Sequence, residues 1–283
     1  MNFSLKLSAL FLFISSFAFS QRGKDGVGNI TGTSIVNAYT TLSNDVTANT
    51  TNTISVANVS SFSAGDLVLI IQISGTWARF YAGDTVGPFF DGGSAVPTDT
   101  SYGRIMAYNG AGTNEMAQIN SVNLGTNTIT FDCQISKAFK ASGKTQIVRV
   151  RRYSSLNISA TGIITCPHWD RTLGYGGVVA IEVQGNTTIA AGGRIDASGL
   201  GFRGGAFWYK TANAPGSTLY GTTRRNEACN KGESIAGDTN VYANEASKFG
   251  RGAIANGGGG GDATNSGGGG GANAGFTNKY FGG

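Results

Sequence analysis

Short alternations of apolar and polar residues, rather than helical periods, run through the first half of the chain. Ile54, Val56 and Val59 alternate with polar residues. A turn at residues 65–66 then leads into the apolar run Leu67–Ile71. A period of two predicts half-buried strands, and the plain interpretation of this segment is two strands joined by a turn. No stretch keeps an apolar period of 3.6 residues, so the pattern predicts an all-β protein.

The alternation returns twice before residue 153. Within Ala117–Phe131, the segment Thr126–Thr130 repeats the pattern of Thr51–Ser55, and Thr145–Arg151 alternates again. Runs of this length and spacing predict a small β module over residues 51–153, which is within the usual size of a domain.

An insertion rich in aromatic residues, glycine and proline interrupts this module at residues 75–115. Long loops on β scaffolds are frequent ligand sites, and exposed aromatic rings stack on the apolar faces of sugars. The alternative is that the rings bury the loop's own small core, because a loop of this length needs internal packing. The contact residues predicted on the first interpretation are Trp77, Phe80 and Tyr81.

Beyond the module the strands become shorter, and glycine cuts them at regular intervals. Leu156–Thr165 and Thr187–Gly199 can be laid over one another, with Ile158 over Ile189. Short repeated strands with Gly and Asn at the corners are typical of a right-handed parallel β-helix, whose coils bury inward residues against each other. We predict two or three coils over residues 154–205.

Glycine dominates residues 206–283, yet aromatic side chains persist there. Of the 45 glycines, 23 lie in residues 199–283, including the runs Gly257–Gly261 and Gly267–Gly271. A flexible linker is one interpretation, since glycine-rich chains behave as coils. The aromatic residues favour burial, and we predict that the runs pack as polyglycine II helices, extended with three residues per turn. The contact candidates in this region are Trp208 and Tyr209, with Arg224 and Arg225 for anions.

Residues 1–20 have the parts of a secretory signal peptide, with Lys6 ahead of the apolar stretch Leu7–Phe19. A helix needs about 20 apolar residues to span a membrane, and this stretch is shorter. We therefore expect an exported chain that begins at Gln21 and is not transmembrane. Charged residues are only 13% of the chain, and the net charge of +5 includes no Lys/Arg block, which argues against a nucleic-acid partner.

An oxidising compartment permits one disulfide among Cys133, Cys166 and Cys229, and three pairings are open. Cys133 and Cys166 are the nearest pair in sequence. Cys166 and His168, the only histidine, have an unsuitable spacing for a zinc site. We predict neither a metal nor a cofactor.

Four stretches carry a resemblance to a known class of proteins: the AGDLVLIIQ strand, Gly176–Gly205, the KGESIAG segment Lys231–Gly237, and Gly250–Asn273. Together they resemble the N-terminal part of very large secreted adhesin-type proteins of gliding and environmental Gram-negative bacteria. The resemblance implies surface attachment and export by the type IX system, directed by a separate C-terminal sorting domain. This chain has no such domain before Gly283, so we expect a fragment of a longer chain.

These patterns predict a non-catalytic, secreted cell-surface scaffold of the adhesin type that presents aromatic loops to a glycan or another surface polymer. A polysaccharide-active β-helix enzyme, lyase or hydrolase, is the alternative, and a structural spacer of a long surface fibre is another. An enzyme of this fold needs clustered carboxylates, but Asp170, Glu182 and Asp196 are well separated in sequence, and no catalytic residue is predicted. His168–Arg171 is interpreted as a turn, with Trp169 packed on a coil.

The predicted divisions are a signal peptide (1–20), a polar leader (21–50), the β module (51–153), the coils (154–205) and the glycine-rich region (206–283).

Overall fold

A computed structural model describes residues 22–78, 103–206, 229–238, 248–250 and 252–260. Every helix or strand in these ranges is a β-strand, which confirms the all-β prediction. The strands are β1 (Val27–Ile30), β2 (Thr33–Ile35), β3 (Tyr39–Thr41), β4 (Thr53–Ser55), β5 (Leu67–Gln72), β6 (Trp77–Ala78), β7 (Ile105–Ala107), β8 (Asn114–Asn123), β9 (Thr128–Phe131), β10 (Thr145–Arg149), β11 (Arg151–Tyr153), β12 (Ser155–Ile158), β13 (Ile163–Thr165), β14 (Ile181–Val183), β15 (Thr187–Ile189) and β16 (Arg194–Ile195).

Three coils of parallel strands form a short β-helix, two of them from the region where the sequence predicts coils. Coil 1 consists of β1 and β2, coil 2 of β11 to β13, and coil 3 of β14 to β16. Ile158 pairs with Ile189, as the overlay of the two segments predicted, and with Ile30 on its other side. Leu156 and Ile164 complete the buried interior with Ile30 and Ile158. Each coil therefore covers the apolar residues of the next.

Coil 1 comes from the segment that the sequence analysis describes as a polar leader. β1 pairs with β12 along its whole length, and β2 pairs with β13. The sequence VGNI conceals this strand because one of its two buried positions is a glycine, Gly28. A side chain there would collide with Leu156 and Tyr153 of coil 2. Glycine is required at position 28 because of residues of the neighbouring coil, which are far from it in sequence.

Between coil 1 and coil 2 the chain forms a six-stranded antiparallel sheet in the order β3-β10-β5-β8-β9-β4. Its edge strands meet just beyond their ends, where Leu42 bridges Val56, so the sheet curls into a small barrel. Ile129, Ile147 and Phe139 are fully buried in the barrel interior. The β module predicted from alternation is this barrel, inserted between two coils of the β-helix.

The two strands predicted before and after the turn at residues 65–66 are β4 and β5, and they do not pair with each other. β4 pairs with β9, so that Thr53 faces Thr130 and Ile54 faces Ile129. The two segments whose sequences resemble each other are therefore antiparallel partners. β5 lies between β10 and β8. A turn signal marks a change of direction, but the partner of a strand is set by packing across the whole sheet.

Two buried carboxylates join the barrel to the β-helix. Asp25, which precedes β1, accepts hydrogen bonds from Arg149 at 2.7 Å and from Arg151 at 3.0 Å. Asp66, which precedes β5, accepts from Lys24 at 2.8 Å and pairs with Arg149 Nε at 2.8 Å. Because one guanidinium bonds both carboxylates, the network fixes the last barrel strand against the start of coil 1.

Acid should weaken this junction through Asp66. Burial alone would raise the pKa of Asp66, but hydrogen bonds from Arg149, Lys24 and the Ser63 N–H outweigh it, so its pKa lies below the ordinary value. The stability that the carboxylate contributes is present above the unfolded pKa of about 3.9 and is lost as pH falls through the lower folded pKa. We expect Asp66→Asn to lower the free energy of unfolding at neutral pH by about 1–3 kcal/mol. Urea denaturation at a series of pH values should also show a flatter acid decline for this variant than for the wild type.

Asp45→Asn is the matched control, because Asp45 also pairs with a lysine, Lys140, but both side chains are about half exposed. We expect this variant to unfold at the wild-type urea concentration, since exposed pairs contribute little. Equal losses from the two variants would contradict the role of the Asp66 network.

The described part of the glycine-rich region is a bundle of extended segments, which we call the glycine bundle. Residues 229–233 lie at its centre, surrounded by residues 203–206, 248–250 and 257–260. The N–H groups of residues 230–233 donate in turn to the first, second, third and again the first of these segments. A repeat of three is the period of a polyproline II helix, whereas a strand alternates between two sides. The bonds are Asn230 N–H to Ala206 O, Lys231 N–H to Lys248 O, Gly232 N–H to Gly258 O, and Glu233 N–H to Arg203 O.

Glycine is needed in this bundle because the backbones approach too closely for side chains. A Cβ on Gly205 would overlap the carbonyl oxygen of Asn230, and one on Gly260 would overlap that of Cys229. Gly257–Gly260 are buried. The described part of the first glycine run, residues 257–260, is thus a buried packing element rather than a tether, and Gly261 and the second run lie outside the described residues.

A single methyl group should distinguish close packing from a loose arrangement. We expect Gly205→Ala to lower the free energy of unfolding by about 1–3 kcal/mol, because the new Cβ forces two backbones apart. Gly204→Ala is the matched control, since its Cβ would meet no atom within 4 Å. Differential scanning calorimetry of the two variants tests this difference. Indistinguishable melting temperatures would show that the segments are not in close contact.

Candidate functional site

Large apolar side chains are exposed on and directly beside the hairpin formed by β6 and β7. Trp77 is 58% exposed, Tyr108 is 59% exposed and Met106 is 45% exposed. Trp77 pairs with Ala107, which lies between Met106 and Tyr108, and a register shift follows at Ala78. We call Trp77, Met106 and Tyr108 the aromatic patch. The hairpin therefore shows to solvent the residues that a folded chain usually buries.

The base of the hairpin is held by buried polar groups of the barrel. Gln72 at the end of β5 is 1% exposed, and its amide nitrogen donates to Ser74 O at 2.8 Å and to Asn109 O at 2.9 Å. Asn109 in turn donates through Nδ2 to Gly75 O at 3.2 Å. These bonds fix the chain just before β6 and just after β7.

The glycine bundle braces the same hairpin from the other side. The N–H groups of Gly75 and Thr76 both donate to the carbonyl of Ile235. Ala78, next to Trp77, is buried against Ile254. The exposed Trp77 is thus fixed on a support rather than on a free loop.

Of the contact residues predicted from sequence, the structure places Trp77 and shows it exposed. Six others lie outside the described residues: Phe80, Tyr81, Trp208, Tyr209, Arg224 and Arg225. Tyr108 and Met106 were not predicted as contact residues. Tyr108 belongs to the predicted insertion. It directly precedes Asn109–Gly110, and an Asn-Gly pair is a sequence signal for a tight turn at the end of a strand.

The segment His168–Arg171 leads into a turn at residues 171–174, which the Asp170–Tyr175 bridge closes, and Trp169 is packed inward. Trp169 is 2% exposed, meets the ring of Phe202 edge-on at 6.0 Å, and donates through Nε1 to Glu233 at 2.7 Å. The neighbouring His168 is exposed. This geometry gives the segment a packing role.

Arg171 lies beside two carboxylates, both of which are far from it in sequence. Its guanidinium lies 3.6 Å from Glu233 and 3.6 Å from Asp238. Asp170, beside it, accepts hydrogen bonds from the N–H groups of Leu173 and Thr172, which hold its pKa below the ordinary value. A carboxyl group with a lowered pKa is a poor proton donor near neutral pH.

The two other carboxylates considered in the coils are also paired. Glu182 accepts from Arg152 at 2.6 Å, and Asp196 accepts from Arg194 at 3.1 Å. In the part of the chain that the structure describes, no three His, Cys, Asp or Glu side chains come together as a metal site requires. Within those same ranges, no helix is long and apolar enough to cross a membrane.

The Cys133–Cys166 disulfide considered from sequence is not formed. Both residues are free thiols. Cys133 is exposed on the barrel, whereas Cys166 is buried after β13 in the β-helix, where burial raises the pKa of its thiol. Nearness in sequence could not show that the two residues belong to different units.

A groove of about 330 Å³ crosses the barrel surface between β5, β8 and β9. Leu67, Met116 and Phe131 give it an apolar part, and Glu115 lies at its side. The Glu115 carboxylate accepts hydrogen bonds from the N–H groups of Ser136 and Lys137, so it stabilises a barrel loop.

Comparison with known proteins finds no matching family model and no matching curated protein. Three phage tailspike structures are similar. The tailspike of Acinetobacter baumannii bacteriophage AP22, in complex with A. baumannii capsular saccharide, is 12% identical over 59% of this chain and 28% of its own, with a TM-score of 0.24. The Pseudomonas phage phi297 tailspike is 15% identical over 48% of this chain and 17% of its own, with a TM-score of 0.25. The Pseudomonas phage LKA1 tailspike is 16% identical over 50% of this chain and 22% of its own, with a TM-score of 0.23. The chain thus spans less than a third of each, and the function proposed below rests on its own residues.

Proposed function

We propose that this protein is a non-catalytic, exported surface scaffold that attaches to glycans through the aromatic patch. The observation that carries the proposal is the exposure, above half in both cases, of Trp77 on β6 and of Tyr108 directly after β7 of the same hairpin. Large apolar side chains exposed on one element are characteristic of surfaces that bind a partner.

The chemistry of the patch favours sugars. An indole or phenol ring offers a flat apolar face to the C–H groups of a pyranose, and the phenol hydroxyl also exchanges hydrogen bonds with sugar hydroxyls. Fixed rings lose little conformational entropy on binding, so the braced hairpin suits a binding role. The resemblance to secreted adhesin-type proteins and the predicted signal peptide support a location at the cell surface.

Binding to insoluble polysaccharides tests the proposal directly. We expect the full chain to sediment with at least one member of a panel of cellulose, chitin, xylan and purified bacterial capsular polysaccharide. Trp77→Ala and Tyr108→Ala should each weaken that binding about 2–10-fold, which corresponds to the loss of one stacking contact.

Leu124→Ala is the matched control, because Leu124 is 71% exposed and lies on a barrel turn away from the hairpin. It should bind as the wild type does. Equal weakening by all three substitutions, or no binding to any polysaccharide, would contradict the proposal.

The alternative of a polysaccharide-active enzyme is favoured by one observation, the meeting of Glu233 and Asp238 at Arg171. The same panel separates the two functions, because an enzyme releases new reducing ends from the polysaccharide and a binding scaffold does not. Against the enzyme, Glu233 is almost fully buried and is already bonded to Trp169. A structural spacer would bind no member of the panel.

A further inference from the structure

Gln72 makes a set of contacts that barrel packing alone does not require. Its side chain is 1% exposed, and both ends of its amide are bonded. Nε2 donates to Ser74 O at 2.8 Å and to Asn109 O at 2.9 Å, while Oε1 accepts from the Lys140 N–H at 2.9 Å. The two donors and one lone pair of the amide are thus used on three separate loops.

The chain around this amide is shaped to receive it. A Cβ on Gly110 would lie within 3 Å of the Gln72 side chain, and one on Gly143 would overlap it. Ser74, also 1% exposed, bonds to Gly143 O through both its N–H and its hydroxyl. Two glycines and a buried serine therefore hold the amide in one position.

The loops that Gln72 bonds are those that lead into and out of the aromatic patch. Ser74 lies three residues before Trp77, and Asn109 directly follows Tyr108. The amide nitrogen therefore ties together the two points from which the exposed rings leave the barrel. Thr76 adds only a long bond of 3.4 Å between its hydroxyl and Tyr108 O.

We propose that Gln72 is the positioning residue of the aromatic patch and sets its binding affinity while touching no ligand. The binding consequence rests on the proposed function, but the positioning itself does not. Gln72→Met keeps the length of the side chain and removes all three hydrogen bonds. Gln72→Glu keeps an acceptor for Lys140 N–H but removes both donors to Ser74 O and Asn109 O.

The matched control is Gln146→Met. Gln146 is also fully buried, and its amide also bonds backbone groups, donating to Gly176 O at 3.2 Å and accepting from Gly176 N–H at 3.1 Å. Those bonds point to the β-helix and not to the hairpin. This variant reports the general cost of losing a buried glutamine amide.

The first readout needs no ligand. The protein is labelled with 5-fluorotryptophan, and the fluorine resonance of Trp77 is assigned by its loss in Trp77→Phe. We expect both Gln72 variants to shift or broaden this resonance and Gln146→Met to leave it unchanged. An unchanged Trp77 resonance in both Gln72 variants would overturn the proposal.

The second readout is affinity for whichever polysaccharide of the panel binds the wild type. If only about a tenth of the molecules keep the patch in its binding arrangement, the apparent affinity falls about tenfold. We expect this loss in both Gln72 variants and none in Gln146→Met. A shifted resonance with no polysaccharide bound by the wild type would contradict the proposed function and leave the positioning role supported. A shifted resonance with unchanged affinity would overturn the claim that Gln72 sets affinity.

Hydrogen exchange of the wild type covers the case in which the Gln72 variants do not fold. Three backbone N–H groups at the base of the hairpin should exchange as slowly as the amides of β5. They are those of Gly75, Thr76 and Gly112, of which the last donates to the backbone carbonyl of Gln72. Exchange at the rate of an unstructured peptide would overturn the positioning role, because a hairpin that opens freely is not positioned by its base.

Discussion

The glycine bundle is held together by backbone hydrogen bonds from residues 230–233. These bonds point in three directions, to residues 203–206, 248–250 and 257–260. An extended segment with a repeat of three can bond to three neighbours, whereas a strand bonds to two. That arrangement is open only to backbones that approach closely, which is why Gly205 and Gly260 lie at its contacts. These two glycines therefore contribute by having no side chain.

The candidate site depends on this packing as well as on the barrel. The hairpin that carries Trp77 is an insertion in the barrel, but Gly75 and Thr76 bond to Ile235 of the glycine bundle and Ala78 packs against Ile254. The barrel is itself an insertion between coils 1 and 2, fixed by the bonds of Arg149 to Asp25 and Asp66. The barrel and the glycine bundle thus meet at one hairpin, which keeps its exposed side chains in a fixed position.

Sequence reasoning found the features that depend on local pattern. Alternation predicted the barrel strands, and the overlay of two segments predicted the pairing of Ile158 with Ile189. It missed coil 1, because Gly28 takes an inward position whose reason is Leu156 of the next coil. It found β4, β5 and the turn between them but not their partners, since a turn is visible in sequence and the pairing of β4 with β9 is not. In the candidate site, Trp77 could be predicted from its place in an aromatic loop, but Gln72 could not. Its role arises from three loops that meet only in the folded chain.

Residues 230–233 bond to three neighbouring segments, as an extended helix with a repeat of three does and a strand does not. Scalar couplings across hydrogen bonds, measured by NMR between the amide nitrogen of one residue and the carbonyl carbon of another, test it most directly. The account predicts couplings from Asn230 to Ala206, from Lys231 to Lys248, from Gly232 to Gly258 and from Glu233 to Arg203. Couplings that connect this segment to only two neighbours, alternating along the chain, would contradict it.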